Sequence, residues 1–155
     1  MVFAQNKVSN HQRGLAAVEF VFVLPFLLLL MLVSAELGRA FYQYNTLTKT
    51  VRDGARYLAD NSLIGTTGII DITDEESNTQ NLVVYGNRLG NGQPLLPGLV
   101  PGDITVVQLD SKHIRVSVAY VYLSILGVPI PSFGLGTGNI ATNFTFTAQS
   151  SMRAL

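Results

Sequence analysis

The chemistry most specific to this chain lies in two residues near its start. Glu19 is the only charged residue in the twenty-one-residue run Leu15–Ala35. A carboxylate in the middle of a membrane-length helix costs about 2.5–3.5 kcal/mol on insertion scales, and such a group points to a functional partner. Gly14 stands immediately before the run, at the end of a short polar leader that carries Lys7, His11 and Arg13 and no acid. Together these features are the pattern of a chain cut after Gly14. The cut would free the amine of Leu15, and Glu19 and Phe20 close behind it would act in assembly. The bland alternative is that Gly14 is a chance glycine before a helix and Glu19 a polar residue near the membrane interface.

The remaining candidates for chemistry are weaker. The chain has no cysteine, which excludes disulfides, thiolate metal sites and cysteine nucleophiles. Asp71, Asp74, Glu75 and Glu76 cluster, but their spacing is not that of an EF-hand loop, and acids are favoured at a helix N-terminus in any case. Gly134-Leu-Gly136-Thr-Gly138 has no following helix and is not a phosphate loop. His11 and His113 have no evident catalytic partners, and no serine elbow or carboxylate pair is present. The sequence therefore predicts no catalytic residues, no metal, no cofactor and no small-molecule substrate. Residues 15–155 carry eight basic and ten acidic side chains. That near-neutral balance gives no footprint for nucleic acid.

The elements follow from periodicity. Twenty-one helical residues from Leu15 to Ala35 span about 31 Å, close to the ~30 Å of a bilayer core. The run is longer than a secretory signal core, and Ser34-Ala35-Glu36 is a poor cleavage site. Pro25 lies inside it, which membrane helices tolerate. The basic leader predicts a cytoplasmic N-terminus with the remainder outside. After Glu36, Leu37, Phe41, Tyr44, Leu47, Val51, Ala55 and Leu58 recur at helical spacing, so one helix is expected from Leu15 to about Ala59. Gln43 and the charged residues Glu36, Arg39, Lys49, Arg52, Asp53 and Arg56 supply its polar surface. Glu36–Arg39 and Asp53–Arg56 are spaced to pair, and Arg52 and Arg56 are also within reach of Asp60 or the sheet. Thr73 to Glu76 fits a capping box and starts a short helix of about Asp74–Leu89. Strands follow at Asp103–Leu109 and Ile114–Tyr122, joined by Asp110-Ser111-Lys112 as a turn. Leu126–Gly138 is a glycine- and proline-rich loop, and a last strand alternates from Ile140 to Gln149.

These pieces resemble the TadE-like minor pilins of tight-adherence (Flp, type IVc) pilus systems. The resemblance is carried by Arg13-Gly14, by Leu15-Ala-Ala-Val-Glu19-Phe20 and by the apolar run with Pro25. Glu36-Leu-Gly38-Arg39 and Arg52-Asp-Gly54-Ala-Arg56 extend it, and Ser151-Met-Arg153 looks like the family's ending. It is dense over residues 13–58, and beyond them it is one of layout. The resemblance implies cleavage after Gly14 by a membrane aspartic prepilin peptidase. It also implies association with other pilins through the N-terminal helix and a role in pilus biogenesis. TadF-like and TadG-like proteins are close relatives of the family.

The expected fold is α+β, with a long N-terminal helix, membrane-spanning in its first half, on a small three-stranded antiparallel sheet with one short extra helix. The expected organisation is a leader at 1–14, the long helix at 15–61 spanning the membrane at 15–35, and a head at 62–155. The expected location is a bacterial inner membrane with the head in the periplasm or carried into an extracellular pilus. Glu36, Arg39, Arg52 and Arg56 are candidate contacts with partner subunits. A never-cleaved, membrane-anchored scaffold is the competing reading, and an exported enzyme is a distant third.

Overall fold

The computed structural model describes residues 11–63, 68–125, 138 and 143–154, with the backbone alone for residues 11–13. Its elements are α1 (His11–Asn61), α2 (Glu76–Tyr85), a 3-10 turn (Pro101–Asp103), β1 (Ile104–Gln108), β2 (His113–Tyr122) and β3 (Phe144–Arg153). The fold is α+β, as the sequence predicts. The chain forms two compact units, Met1–Gly38 and Arg39–Leu155.

The first unit contributes the opening part of α1. Among the described residues, Gly14–Asn61 is the one helix long and apolar enough to cross a membrane. The helix begins at His11, four residues before the expected Leu15, and Pro25 lies inside it. The one hydroxyl of the apolar run is satisfied locally, with Ser34 Oγ donating to the Leu30 carbonyl at 2.8 Å. That back-bond is what a polar side chain needs in an environment without water.

In the second unit α1 supplies the spine of a core. Leu47, Val51, Ala55 and Leu58 are buried, as their spacing predicts, and cluster with Val83 and Val84 of α2 and with Ile114, Val116, Val118 and Tyr120 of β2. Fully burying one such aliphatic side chain contributes roughly 1.5–3 kcal/mol. The stripe differs from expectation at its upper end. Phe41 and Tyr44 are exposed, whereas Gln43 is buried. Counting back from Leu58 by three and four gives 55, 51, 47 and 43, so Gln43 lies on the core face and Phe41 does not. Gln43 is tolerated there because Tyr120 Oη lies 3.0 Å from its Oε1 and donates to it or to the Pro97 carbonyl, also 3.0 Å away.

The sheet is antiparallel in the order β1-β2-β3. Ile104 faces Val118 and Val106 faces Val116 across the first pair. Tyr122 faces Phe144 and His113 faces Arg153 across the second. Ile114, Val116, Val118, Tyr120 and Tyr122 are all buried, so the period-two reading of β2 holds. The turn before β2 is built by Asp110, whose Oδ1 accepts from the Lys112 and His113 amides at 2.7 and 2.8 Å. β3 overlaps the expected Ile140–Gln149 strand from Phe144 onward and runs on to Arg153, because β2 offers ten residues to pair with. Residues 139–142, and the loop expected at 126–138 apart from Gly138, fall outside the described residues.

α2 is shorter than expected. It starts at Glu76 with Glu75 as its N-cap and without a side-chain cap, so the capping box from Thr73 does not form. The Thr73 amide is taken instead by Asp71 Oδ1 at 2.9 Å. Gly86, with φ of 72°, ends the helix by donating its N–H to the Leu82 carbonyl. Only glycine adopts that left-handed turn without strain, so the stop comes before Gly90.

We predict that Val51→Asp destabilises the second unit by several kcal/mol, since it buries an unpaired charge beside Val83 and Val116. Thermal melting of the purified protein checks this, and a melt superimposable on the parent's would mean that the packing face is wrongly assigned.

Candidate functional site

The sequence places its chemistry at the start of α1, and the structure sets those residues on an uncovered helix surface. Leu15 and Phe20 are exposed, and so are Gly14 and Glu19. A Cβ built on Gly14 would meet nothing within 4 Å. Leu15 and Glu19 are four residues apart in one helix and therefore share a face. A free amine at residue 15 and the Glu19 carboxylate could pair along that face, or each could pair with a second chain.

The other candidate residues fall into two settings. Glu36 is half-buried near the end of the first unit, and Arg39 is half-buried where α1 enters the second. Tyr120 has its phenol pKa raised by burial, and the positive charge of Arg39 works against that shift. Arg52 and Arg56 are exposed, four apart, on the face of α1 that points away from Val51 and Ala55. Among the described residues neither makes an ion pair with Asp53 or Asp60. The expected pairing is absent, and both guanidiniums are presented to solvent.

Between those two arginines the structure shows a role that the sequence reading missed. Gly54 is buried against α2, and a Cβ built on it would sit 2.5 Å from Val83 Cγ2 and 3.6 Å from Thr79 Cγ2. The glycine lets two helices approach more closely than any other residue would allow. A glycine inside a helix costs about 1 kcal/mol relative to alanine, and that unexplained cost was the available signal.

Beside this contact lies a polar cluster. Tyr57 Oη donates to Glu75 Oε2 at 2.6 Å, and Asn78 Nδ2 donates to the same oxygen at 2.9 Å. The Arg88 guanidinium sits 5.8 Å from the Tyr57 ring centre. The hydrogen bond from Tyr57 holds the Glu75 carboxyl below its usual range, with Asn78 adding to it. Burial, and then Glu75, push the Tyr57 phenol up. Tyr57, Asn78 and Arg88 border an open cleft lined also by Asn61, Leu82 and Asn87. Within the acidic cluster, Glu75 and Asp71 are thus engaged with neighbours on the protein.

Residues 14–56 match the family model described as TadE-like protein. Over this segment, less than half of the chain, the sequence is similar to TadE-like proteins. The match begins at Gly14, contains Glu19, Glu36, Arg39 and Arg52, and ends at Arg56. The resemblance read from the sequence therefore holds over residues 14–56. The apolar helix and the family match together suggest association with a membrane. Comparisons with curated proteins and with solved structures return no match.

We predict that Gly54→Ala destabilises the second unit by about 1–3 kcal/mol through overpacking against Val83, despite its better helix propensity. In a Val83→Ala background the same change is expected to be neutral or stabilising. Melting the four proteins of this double-mutant cycle tests the contact, and equal effects in both backgrounds would remove it.

Proposed function

We propose that the chain is a minor pilin or pilin-like subunit of a tight-adherence pilus, made with a leader at residues 1–14 and matured by a prepilin peptidase that cuts after Gly14. The mature helix spans the inner membrane at residues 15–35, enters from the cytoplasmic side and carries residues 62–155 as a periplasmic head. It then joins other pilins through its N-terminal helix, and Glu36, Arg39, Arg52 and Arg56 contact partner subunits. The chain acts as a structural component and not as an enzyme. It needs no cofactor and engages neither nucleic acid nor a small-molecule substrate. The observation that carries this reading is the TadE-like match, which starts at the leader glycine and holds the lone carboxylate of the apolar run.

The physical account of assembly rests on charge in an apolar setting. After cleavage Leu15 carries an α-amine with a reference pKa near ~8, so it is mostly protonated at neutral pH. Amine and carboxylate are each costly alone in lipid and offset one another when paired. A buried ion pair adds little net stability but is well suited to fixing register between helices. Gly14 itself weakens the helix by about 1 kcal/mol relative to alanine, which helps the bond to be cut to open into an extended form.

A second reading has one observation in its favour. α1 is helical on both sides of Gly14, and an uncleaved anchor for a scaffold of an export or pilus machine would keep that continuous helix. The mass of the native protein's N-terminal peptide separates the two. The expected result is a chain that starts at Leu15, and Gly14→Leu is expected to accumulate at full length in the membrane. A native chain that remains uncut in cells with an active prepilin peptidase would favour the scaffold.

The register role gives a separate expectation. Glu19→Gln should leave the second unit folded and the chain in the membrane while impairing co-assembly with partner pilins. Cysteine cross-linking within the apolar helix reports it. If Glu19→Gln cross-links and supports pili as well as the parent, Glu19 has no part in register.

A further inference from the structure

The loop over residues 86–102 leaves α2 and leads to the 3-10 turn, and Arg88 is its only charged residue. Asn91-Gly92, within it, is the one Asn-Gly pair in the chain. Gly92 has φ of 102°, which other residues adopt only with strain, so the turn itself requires glycine there. Both residues are exposed, and a Cβ built on Gly92 would meet nothing within 4 Å. The main chain of Asn91 is held in place. Asn87 Nδ2 donates to its carbonyl at 2.7 Å, and Asn87 Oδ1 accepts from its amide at 3.2 Å. Among the described residues, neither the side-chain amide of Asn91 nor the N–H of Gly92 makes a hydrogen bond. Asparagines followed by other small residues are placed differently. Asn61 Nδ2 donates to the Tyr57 carbonyl at 2.7 Å, and the following Ser62 N–H donates to the Leu58 carbonyl at 2.9 Å. Asn78 Nδ2 donates to Glu75 Oε2 at 2.9 Å, and the Thr79 N–H donates to the Glu75 carbonyl at 2.9 Å. At both positions the electrophile and the nucleophile are already engaged.

We propose that Asn91 is a site of spontaneous deamidation, in which the Gly92 nitrogen and water convert its amide to a carboxylate. Asparagine is a thermolabile residue, and an intramolecular attack by a neighbouring group gains from proximity. A base in solvent takes the Gly92 N–H proton, and the nitrogen attacks Asn91 Cγ. The N–Cγ bond forms and the Cγ–Nδ2 bond breaks. The amide nitrogen takes a proton from water and leaves as ammonia, and a cyclic succinimide remains. Water then opens the ring. Addition at Cγ breaks the new N–Cγ bond and leaves an ordinary aspartate. Addition at the main-chain carbonyl carbon breaks the original peptide bond and leaves an isoaspartate, whose chain runs through the former side chain. In the isoaspartate, the oxygen that accepts from Asn87 belongs to the new carboxylate. No step changes an oxidation state, and water is the only co-reactant. Either product sets a negative charge three residues from Arg88 and cancels the loop's only charge, at the border of the cleft that Arg88 lines. The glycine that the turn requires is thus also what leaves Asn91 open to attack.

The full-length protein is purified in detergent and aged in warm buffer at neutral and at mildly alkaline pH, with a parallel sample in urea. Peptide mapping by mass spectrometry follows each asparagine, and an isoaspartyl methyltransferase labels the isoaspartate. In the folded protein, Asn91 is expected to convert several-fold faster than Asn61 and Asn78. Its rate is expected to rise with pH, because the deprotonated nitrogen is the attacking group. Isoelectric focusing is expected to show a matching acidic band. Asn91→Gln, whose longer side chain closes the ring far more slowly, should lose that band, and Asn91→Asp should run with it from the start. In urea Asn61 and Asn78 lose their partners, and their rates are expected to approach that of Asn91. An Asn91 that converts in urea but stays an amide in the folded protein would show that the fold protects it, and the proposal would be overturned. Conversion of Asn61 and Asn78 as fast as Asn91 in the folded protein would overturn it too, as would an acidic band that persists in Asn91→Gln.

Discussion

The buried face of α1 from Gln43 to Ala59 is the constraint on which the second unit is built. A sheet of three strands has one face to bury and cannot cover it alone. α1 covers it, and α2 closes the side of the core through the approach at Gly54. The spine belongs to the same helix, His11–Asn61, that carries the apolar run. The requirement shows in the residue types. A glycine stands where α1 meets α2, at Gly54, and the buried positions Leu47, Val51 and Leu58 carry larger aliphatics.

Much of this was legible because it depends on period. The alternation of β2 placed five side chains on the core face, and the three-to-four spacing of α1 placed Leu47, Val51, Ala55 and Leu58. What was not legible depends on long-range partners. Gln43 reads as surface by polarity, and its burial requires Tyr120, 77 residues away. Thr73 reads as a cap until Asp71 takes its amide, and Glu75 is committed to Tyr57 and Asn78. β3 ends later than its alternation suggests, because its end is set by pairing with β2.

The segment Arg52-Asp-Gly54-Ala-Arg56 illustrates how one stretch of sequence can hold two unrelated functions. Residues 54 and 55 face the core and are fixed by packing, while 52 and 56 face solvent one turn apart. A resemblance that covers the whole stretch does not say which of these properties is shared. Geometry separates them: the glycine is needed for the contact with Val83, and the arginines are needed for nothing inside the described structure.

The strength of a functional argument in this chain follows from how far each feature departs from consistent burial. Solvated arginines on a helix surface depart from nothing, so Arg52 and Arg56 say little about what they meet. Glu19 departs strongly, being a charge among apolar neighbours, and it calls for a cation or a proton wherever water is absent. The exposed side chains of Phe41, Tyr42 and Phe144 depart in the opposite sense, being apolar surface on a folded unit. The two departures have opposite remedies. The first needs a polar partner inside an apolar medium, and the second needs an apolar medium beside a polar surface.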